Sequence, residues 1–249
     1  MLYPLILTSL AGLATLLGVI PIFIKIKNKD RIIASACAFA SGVMICISIF
    51  DLIPESIKYL SVNFNSFSII FLCFIFMVIG IILSMILDHY IDKVSNTGNL
   101  FKVGILSMSA IILHNIPEGI VTFIVSNRNI MLGISICIAI ALHNIPEGIS
   151  IAIPMYYSTK SKKKAIFYTF LAGLSEPLGA ILTGLFLVNY VNDTMLGLLF
   201  SFIAGVMIQI SSGKLLPTGN NYNKKLSIIF FFVGFIIMLF SLQLESIIS

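Results

Sequence analysis

Eight apolar runs of about 20 residues, separated by short polar breaks, constrain the fold of this chain more than any other feature. A run of this length crosses a hydrocarbon core about 30 Å thick as an α-helix, and it is far longer than a strand of a membrane barrel. The runs lie at Pro4–Ile24, Ile32–Leu52, Phe67–Leu87, Val103–Val125, Ile130–Pro154, Ala165–Val188, Thr194–Ser212 and Leu226–Leu244. The sequence therefore predicts an all-α membrane protein with eight transmembrane helices.

The composition excludes a water-soluble globule. Only 10% of the 249 residues are charged and the mean hydropathy is +1.09, whereas a soluble domain carries about 25% charged residues. The polar breaks are too short to form a second folded unit, so we expect residues 1–249 to be a single polytopic transmembrane domain. No basic region precedes the first run, so it is expected to be a true span and not a cleaved signal.

The basic residues predict which side of the membrane each loop faces, because positively charged loops stay cytoplasmic. With the N-terminus outside, 13 of the 15 Lys and Arg residues fall in inner loops, and the exceptions are Lys58 and Arg128. Both termini are therefore expected to be extracytoplasmic. The net charge of +5 then reflects topology and contact with the headgroups of the lipid bilayer, and no nucleic-acid partner is expected.

An octapeptide, LHNIPEGI, occurs at Leu113–Ile120 and again without change at Leu142–Ile149. In each copy the His and the Glu stand four residues apart, so a helix places them on one face, with the Asn turned by about 100°. A His or an Asn alone in a span is more often a hydrogen-bonded packing residue. A duplicated His, Asn and Glu beside a proline reverses that expectation, because ionisable side chains at bilayer depth are costly and mark functional sites.

The proline and glycine of each copy shape the helix around these polar groups. Pro117 and Pro146 have no amide hydrogen and are predicted to kink their helices, which frees carbonyl oxygens at membrane depth. Gly119 and Gly148 remove side-chain bulk directly after each Glu and permit close helix approach.

The two copies lie in successive runs of opposite direction, and Glu176 lies near the centre of the sixth run. Antiparallel packing is expected to bring His114 toward Glu147 and Glu118 toward His143, about an approximate two-fold axis in the membrane plane. Imidazole, carboxylate and amide groups suit Zn²⁺, Fe²⁺, Mn²⁺ or Co²⁺. Three mid-depth carboxylates tolerate one divalent ion or two. No prosthetic group is expected, and the metal would be the substrate.

Three stretches together resemble the ZIP family of divalent-metal transporters, and within it the bacterial ZupT type: the paired HNIPEG motifs, SIFDLIPES at Ser48–Ser56, and GLSEPLGA around Glu176. The resemblance implies a 3+2+3 arrangement of eight spans with inverted repeats. It also implies import of divalent metal across the bacterial cytoplasmic membrane by alternating access, with Zn²⁺ first and Fe²⁺, Mn²⁺, Co²⁺ and Cd²⁺ as further substrates. Members of this kind often form homodimers.

The family pattern implies a role for seven residues of the fourth, fifth and sixth spans. One metal site would take the imidazoles and carboxylates of the repeat, His114, Glu118, His143 and Glu147. An adjacent site would take Asn115, Asn144 and Glu176, with the two repeat carboxylates bridging a pair of ions.

Asp51 and Glu55 lie at the outer end of the second span under the expected topology. Two interpretations are equally open: entrance carboxylates that concentrate cations, or ordinary interface residues in contact with water. Ser48, one turn deeper, either supplies a hydroxyl ligand or bonds to its own helix.

Two further points qualify the resemblance. Where relatives tend to carry an acidic pair near the end of the seventh span, this chain has Gly213 and Lys214, and Lys214 is expected to extend to the inner membrane interface. An intramembrane metal-dependent hydrolase is the alternative function, but Asn follows each His where a metalloprotease HExxH motif has Glu. We therefore expect a transporter and not an enzyme.

Overall fold

Helices account for all regular structure in the described residues, which are 2–24, 28–94, 99–187 and 192–248 of the computed structural model. The α-helices are α1 Leu2–Leu13, α2 Lys29–Ile47, α3 Ile53–Leu60, α4 Ser66–Val94, α5 Asn99–Arg128, α6 Ile130–Thr159, α7 Lys162–Gly173, α8 Ser175–Leu182, α9 Asp193–Ile210 and α10 Leu216–Ile248. A 3₁₀ helix at Ala14–Phe23 continues α1, and π-helical turns occupy Ser48–Leu52, Thr183–Leu187 and Ser211–Leu215. The expected all-α architecture is confirmed.

Polar side chains at the helix starts explain where several helices begin. The Oδ1 atom of Asn28 accepts hydrogen bonds from the amides of Asp30 and Arg31, at 3.1 and 3.2 Å. Asn129 caps α6 and Asn192 caps α9 in the same way. These bonds satisfy amide groups that have no partner within the first helical turn.

Seven helical segments of the described chain are long and apolar enough to cross a membrane. Six of them each cover all or nearly all of one predicted run: Leu2–Phe23, Lys29–Leu60, Ser66–Tyr90, Leu100–Arg128, Ile130–Thr159 and Lys162–Phe186. The seventh, Asp193–Gln243, has 51 residues. As one straight helix it would be about 76 Å long, more than twice the hydrocarbon thickness.

This last segment turns back on itself at Asn223, whose backbone is extended and not helical (φ −162°, ψ 96°). A Cβ atom added to Gly219 would lie 2.8 Å from Ser227 Oγ, although eight residues of straight helix rise about 12 Å. The segment therefore has two arms, which contain the seventh and eighth predicted runs. Eight membrane crossings stay a prediction, because length and composition define candidate spans only.

Several glycines lie against the backbone of a neighbouring helix, and a Cβ at any of the following eight would overlap that backbone. The contacts come in reciprocal pairs: Gly119 and Gly179 between α5 and α8, Gly18 and Gly148 between the 3₁₀ helix and α6, Gly42 and Gly234 between α2 and α10, and Gly80 and Gly205 between α4 and α9. Such contacts let helix axes approach closely.

The same contacts divide the helices into two groups. The inner group contains α1 with its 3₁₀ continuation and α5 to α8, and the outer group contains α2 to α4, α9 and α10. Every glycine contact between segments in the described residues lies within one group. The contact between α5 and α8 and the contact between the 3₁₀ helix and α6 belong to the inner group, and the other two belong to the outer group. Contacts that occur twice within each group are what an inverted repeat requires.

Two π-helical turns also occupy positions that an inverted repeat would relate to each other. Ser48–Leu52 is closed by a hydrogen bond from the Ile53 amide to the Ser48 carbonyl, and Ser211–Leu215 is closed by one from the Leu216 amide to the Ser211 carbonyl. In both cases a proline follows two residues after the end of the turn, at position 54 or 217. Since proline cannot donate to the preceding turn, a wider turn satisfies the local carbonyls. Short π turns are frequent at functional sites.

Substitution of a glycine that faces backbone should destabilise the bundle. Gly80→Ala would press a methyl group onto the carbonyl of Phe202, and overpacking of this kind costs about 1–3 kcal/mol. We expect a lower unfolding temperature in detergent micelles, measured by circular dichroism. Gly213→Ala is the matched control, because its nearest neighbour is the end of the flexible Gln209 side chain, 2.8 Å away. Equal shifts in both variants would contradict the close-contact interpretation.

Candidate metal centre

The two copies of LHNIPEGI face each other across a helical hairpin. α5 ends at Arg128 and α6 begins at Ile130, so one capping residue, Asn129, separates them. This tight connection makes the helices antiparallel neighbours and places His114 and His143 at nearly equal distances from the turn, 15 residues before Asn129 and 14 residues after it. Their ring centroids are 6.1 Å apart. Both helices continue through their prolines without a break.

Glu118 lies between the two histidines. Its Oε1 atom is 3.0 Å from His114 Nε2 and 3.0 Å from His143 Nε2. The ligand atoms of these three residues lie within 4.8 Å of one another, close enough to hold one metal ion. Glu147 Oε1 adds a fourth group, 3.6 Å from His114 Nε2. The antiparallel packing therefore brings together the His and Glu pairs as expected, and imidazole with carboxylate is a donor set that Zn²⁺ accepts.

Glu176 and Asn144 form a second polar cluster beside the first. Asn144 Nδ2 donates to Glu176 Oε2 and to the Ala11 carbonyl, both at 2.9 Å. Glu176 lies in the first turn of α8, after a short interruption at Leu174. The reciprocal glycine contacts between α5 and α8 hold this turn against the repeat. Asn115 is also fully buried.

The seven residues predicted to bind metal leave many polar atoms unsatisfied. All seven residues are at most 6% exposed. Ten of their nitrogen and oxygen atoms make no hydrogen bond to the described residues, including both amide atoms of Asn115, both oxygens of Glu147 and Oε1 of Glu176. Each such atom costs about 1–3 kcal/mol when buried without a partner. A bound cation would satisfy these oxygens and nitrogens, so the donor set fits a metal ion.

A cavity of about 200 Å³ connects this cluster with the end of the second segment. Asp51 and Glu55 line it together with Glu118 and His143. Glu55 is half-buried and pairs with the exposed Lys58 at 2.8 Å. Both expected entrance carboxylates therefore line the same cavity as two of the candidate metal ligands. The walls come from both helix groups, since Asp51 belongs to the outer group and His143 to the inner group.

Ser48 takes the second of the two arrangements expected for it. Its hydroxyl donates to the Met44 carbonyl of its own helix at 2.8 Å, and the side chain is fully buried. The structure does not place Ser48 in the wall of the cavity.

Thr122 was missed by the sequence analysis. It is fully buried, its hydroxyl has no hydrogen-bond partner among the described residues, and it lines the cavity one turn beyond Glu118. The signal was present, because His114, Glu118 and Thr122 follow one another at intervals of four on a single helix face. A hydroxyl beside the repeat was not distinctive enough to be noticed among the many buried Ser and Thr residues.

Lys214 has a protein partner that the sequence did not reveal. Its Nζ atom is 2.6 Å from Asp88 Oδ2, and the side chains are 28% and 20% exposed. The ammonium group therefore forms an ion pair between the π-helical turn after α9 and helix α4, and its position relative to the membrane interface stays a prediction.

The fold and the buried site define a multi-pass helical membrane transporter. A family model described as ZIP Zinc transporter matches residues 92–242. Zinc transporter ZupT of Streptococcus mutans is 37% identical over 96% of both chains, and that of Oceanobacillus iheyensis is 35% identical over 90% of both. Zinc transporter ZupT of Campylobacter jejuni is 34% identical over 96% of this chain and 95% of its own. The chain belongs to the ZIP family.

Family membership confirms the resemblance on which the sequence analysis relied. It also confirms the expectation of a transporter over an enzyme, because the matching family and the relatives are transporters. The hydrolase alternative therefore has no support.

Access through the cavity can be tested with a single cysteine. In a background without the four native cysteines, which are all free thiols, Val121→Cys should react with a membrane-impermeant thiol reagent, because Val121 lines the cavity. Added Zn²⁺ should slow the reaction. Val206→Cys is the matched control, since Val206 is buried and outside the cavity wall. Equal labelling rates, measured by mass spectrometry, would contradict the access route.

Proposed function

We propose that this protein imports divalent metal cations, with Zn²⁺ as its first substrate, across the bacterial cytoplasmic membrane. The observation that carries the proposal is the convergence of two imidazoles, three carboxylates and the amide of Asn144 in one buried cluster. Three relatives that match nearly the whole chain are called zinc transporters. The metal is the transported substrate of this site, and no prosthetic group is proposed.

Two ions can share the cluster. The first would be bound by the histidines and carboxylates of the repeat. Glu118 lies 3.0 Å from both histidines, and Glu147 lies 3.6 Å from His114. The second would be bound by Asn115, Asn144 and Glu176. Glu118 and Glu147 would bridge the two, because Glu118 Oε2 and both oxygens of Glu147 are buried without hydrogen bonds. Bridging carboxylates are typical of sites with two metal ions.

The two helix groups suggest how access alternates. The cavity runs along the seam between them, so movement of one group against the other would close it. At the opposite end of the hairpin the fully buried Met155 packs against Gly104, whereas the smaller Ser126 packs against Gly133 at the cavity end. These contacts support a conformation that is open toward Asp51 and Glu55 and closed on the other side.

The orientation follows from the charge distribution. Import begins from a conformation that is open to the outside, and the positions of the basic loops predict that the cavity end of the bundle faces outside. Both termini are then extracytoplasmic. Under this topology the membrane potential draws each cation charge inward by about 2.3 kcal/mol per 100 mV. A homodimer stays a prediction from the family resemblance.

Flux through reconstituted protein tests the proposed function directly. Proteoliposomes should show saturable Zn²⁺ uptake. His143→Ala combined with Glu147→Ala should abolish it, because both substitutions remove donor groups from the cluster. His89→Ala is the matched control, since His89 is the remaining histidine of the chain and is exposed. Absence of saturable uptake by the unaltered protein, or full uptake by the double variant, would refute metal transport through this site.

Competition in the same assay tests the substrate range. Fe²⁺, Mn²⁺, Co²⁺ and Cd²⁺ should each reduce Zn²⁺ uptake, because all accept imidazole and carboxylate ligands. Ca²⁺ and Mg²⁺ should compete poorly, since these ions prefer sites built from oxygen ligands alone. Strong competition by Ca²⁺ would contradict a role for the two imidazoles as ligands.

The number of bound ions tests the two-ion arrangement. Titration calorimetry on the purified protein should give two Zn²⁺ per chain, and Glu176→Gln should reduce the number to one, because only the second position uses this carboxylate. Asp193→Asn provides the control for loss of one carboxylate elsewhere, as Asp193 is exposed at the start of α9. A single ion in the unaltered protein would contradict the arrangement while leaving transport intact.

A further inference from the structure

The inverted repeat places Asp51 and Lys214 at equivalent positions. Each is the fourth residue of a five-residue π-helical turn, and each turn begins with Ser and is followed two residues later by Pro. Equivalent turns in an inverted repeat lie at opposite ends of the bundle. One end of the pathway therefore carries a carboxylate at the position where the other end carries an ammonium group.

The charged residues around Asp51 and around Lys214 also differ. The reciprocal glycine contacts make Gly80 and Gly234 equivalent positions. Asp88 lies eight residues after Gly80, so it corresponds to Leu242, which lies eight residues after Gly234. At the inner end Lys214 Nζ lies 2.6 Å from Asp88 Oδ2. At the outer end the residue equivalent to Asp88 is apolar. Asp51 therefore has no equivalent of the ion pair between Lys214 and Asp88, and at the Lys214 position the two opposite charges cancel.

This difference has an electrostatic consequence for a divalent cation. Asp51 faces the cavity that leads to Glu118 and His143, so it attracts a cation toward the cluster. Lys214 occupies one oxygen of Asp88 and repels a cation nearby, because like charges interact unfavourably at short range. Lysine keeps a compact, localised charge suited to this effect.

We propose that Lys214 removes a cation-binding position from the cytoplasmic end of the pathway, so that it lowers the affinity for metal on the inner side and favours release. The inference rests on the proposed function, namely import through the buried cluster. The acidic Asp88 is the group that Lys214 neutralises, and it would become a metal ligand if the lysine were absent. A purely stabilising ion pair is the competing interpretation.

Two variants break the same ion pair but should act in opposite directions. In sided proteoliposomes, Lys214→Gln should lower the KM for Zn²⁺ presented at the cytoplasmic face by about tenfold, the scale expected for removal of one nearby unit charge. Asp88→Asn should raise that KM, because the lysine charge is then no longer neutralised. The KM at the opposite face should stay unchanged in both variants.

The charge-exchange variant, Asp88→Lys with Lys214→Asp, retains an ion pair and guards against misfolding of the single variants. It should keep the inner KM near the unaltered value. Lys225→Gln is the matched control, because it removes the same charge from an exposed position in the inner loop, and its inner KM should not change.

Each result decides between the interpretations. A shift of the inner KM in the same direction for Lys214→Gln and Asp88→Asn, or no shift in either, would overturn the inference and leave a stabilising ion pair. Failure of the unaltered protein to transport Zn²⁺ would instead refute the proposed function. The Zn²⁺ flux through the unaltered protein therefore tests the proposed function, and the KM values at the two membrane faces test the role of Lys214.

Discussion

Carboxylates buried at the centre of an apolar bundle impose the constraint on which the rest of this structure depends. A charged side chain at bilayer depth costs about 2.5–3.5 kcal/mol or more, and Glu118, Glu147 and Glu176 are all buried. Glu118 is held between two imidazoles at 3.0 Å, and Glu176 accepts a hydrogen bond from Asn144. These contacts satisfy only part of the cluster, so the remaining donor atoms are available to a cation.

Glycine contacts make this cluster geometrically possible. α5, α6 and α8 must approach closely for short His, Asn and Glu side chains from three helices to meet, and Gly119, Gly148 and Gly179 allow that approach. The same kind of contact holds the outer group together, while none in the described residues crosses between the groups. Glycine contacts therefore join helices within each group, and the cavity lies where the two groups meet.

The two halves of the repeat have diverged at their ends more than at their centre. The octapeptide is identical in both copies, because both imidazole and carboxylate sets face one site. At the ends the equivalents differ in charge and size, as Asp51 and Lys214 or Ser126 and Met155 illustrate. An exact two-fold repeat would make both ends of the pathway alike, and these differences distinguish them.

The sequence by itself determined the class of fold and the composition of the site. Run length identified the helices, and the duplicated motif identified His114, Glu118, His143 and Glu147, because 3.6-residue periodicity fixes which side chains share a face. Only the tertiary structure decided that Asp51 lines the cavity beside the buried cluster and that Lys214 pairs with Asp88. Asp88 and Lys214 are more than one hundred residues apart, and local periodicity carries no information about such contacts, which arise only when separate helices pack.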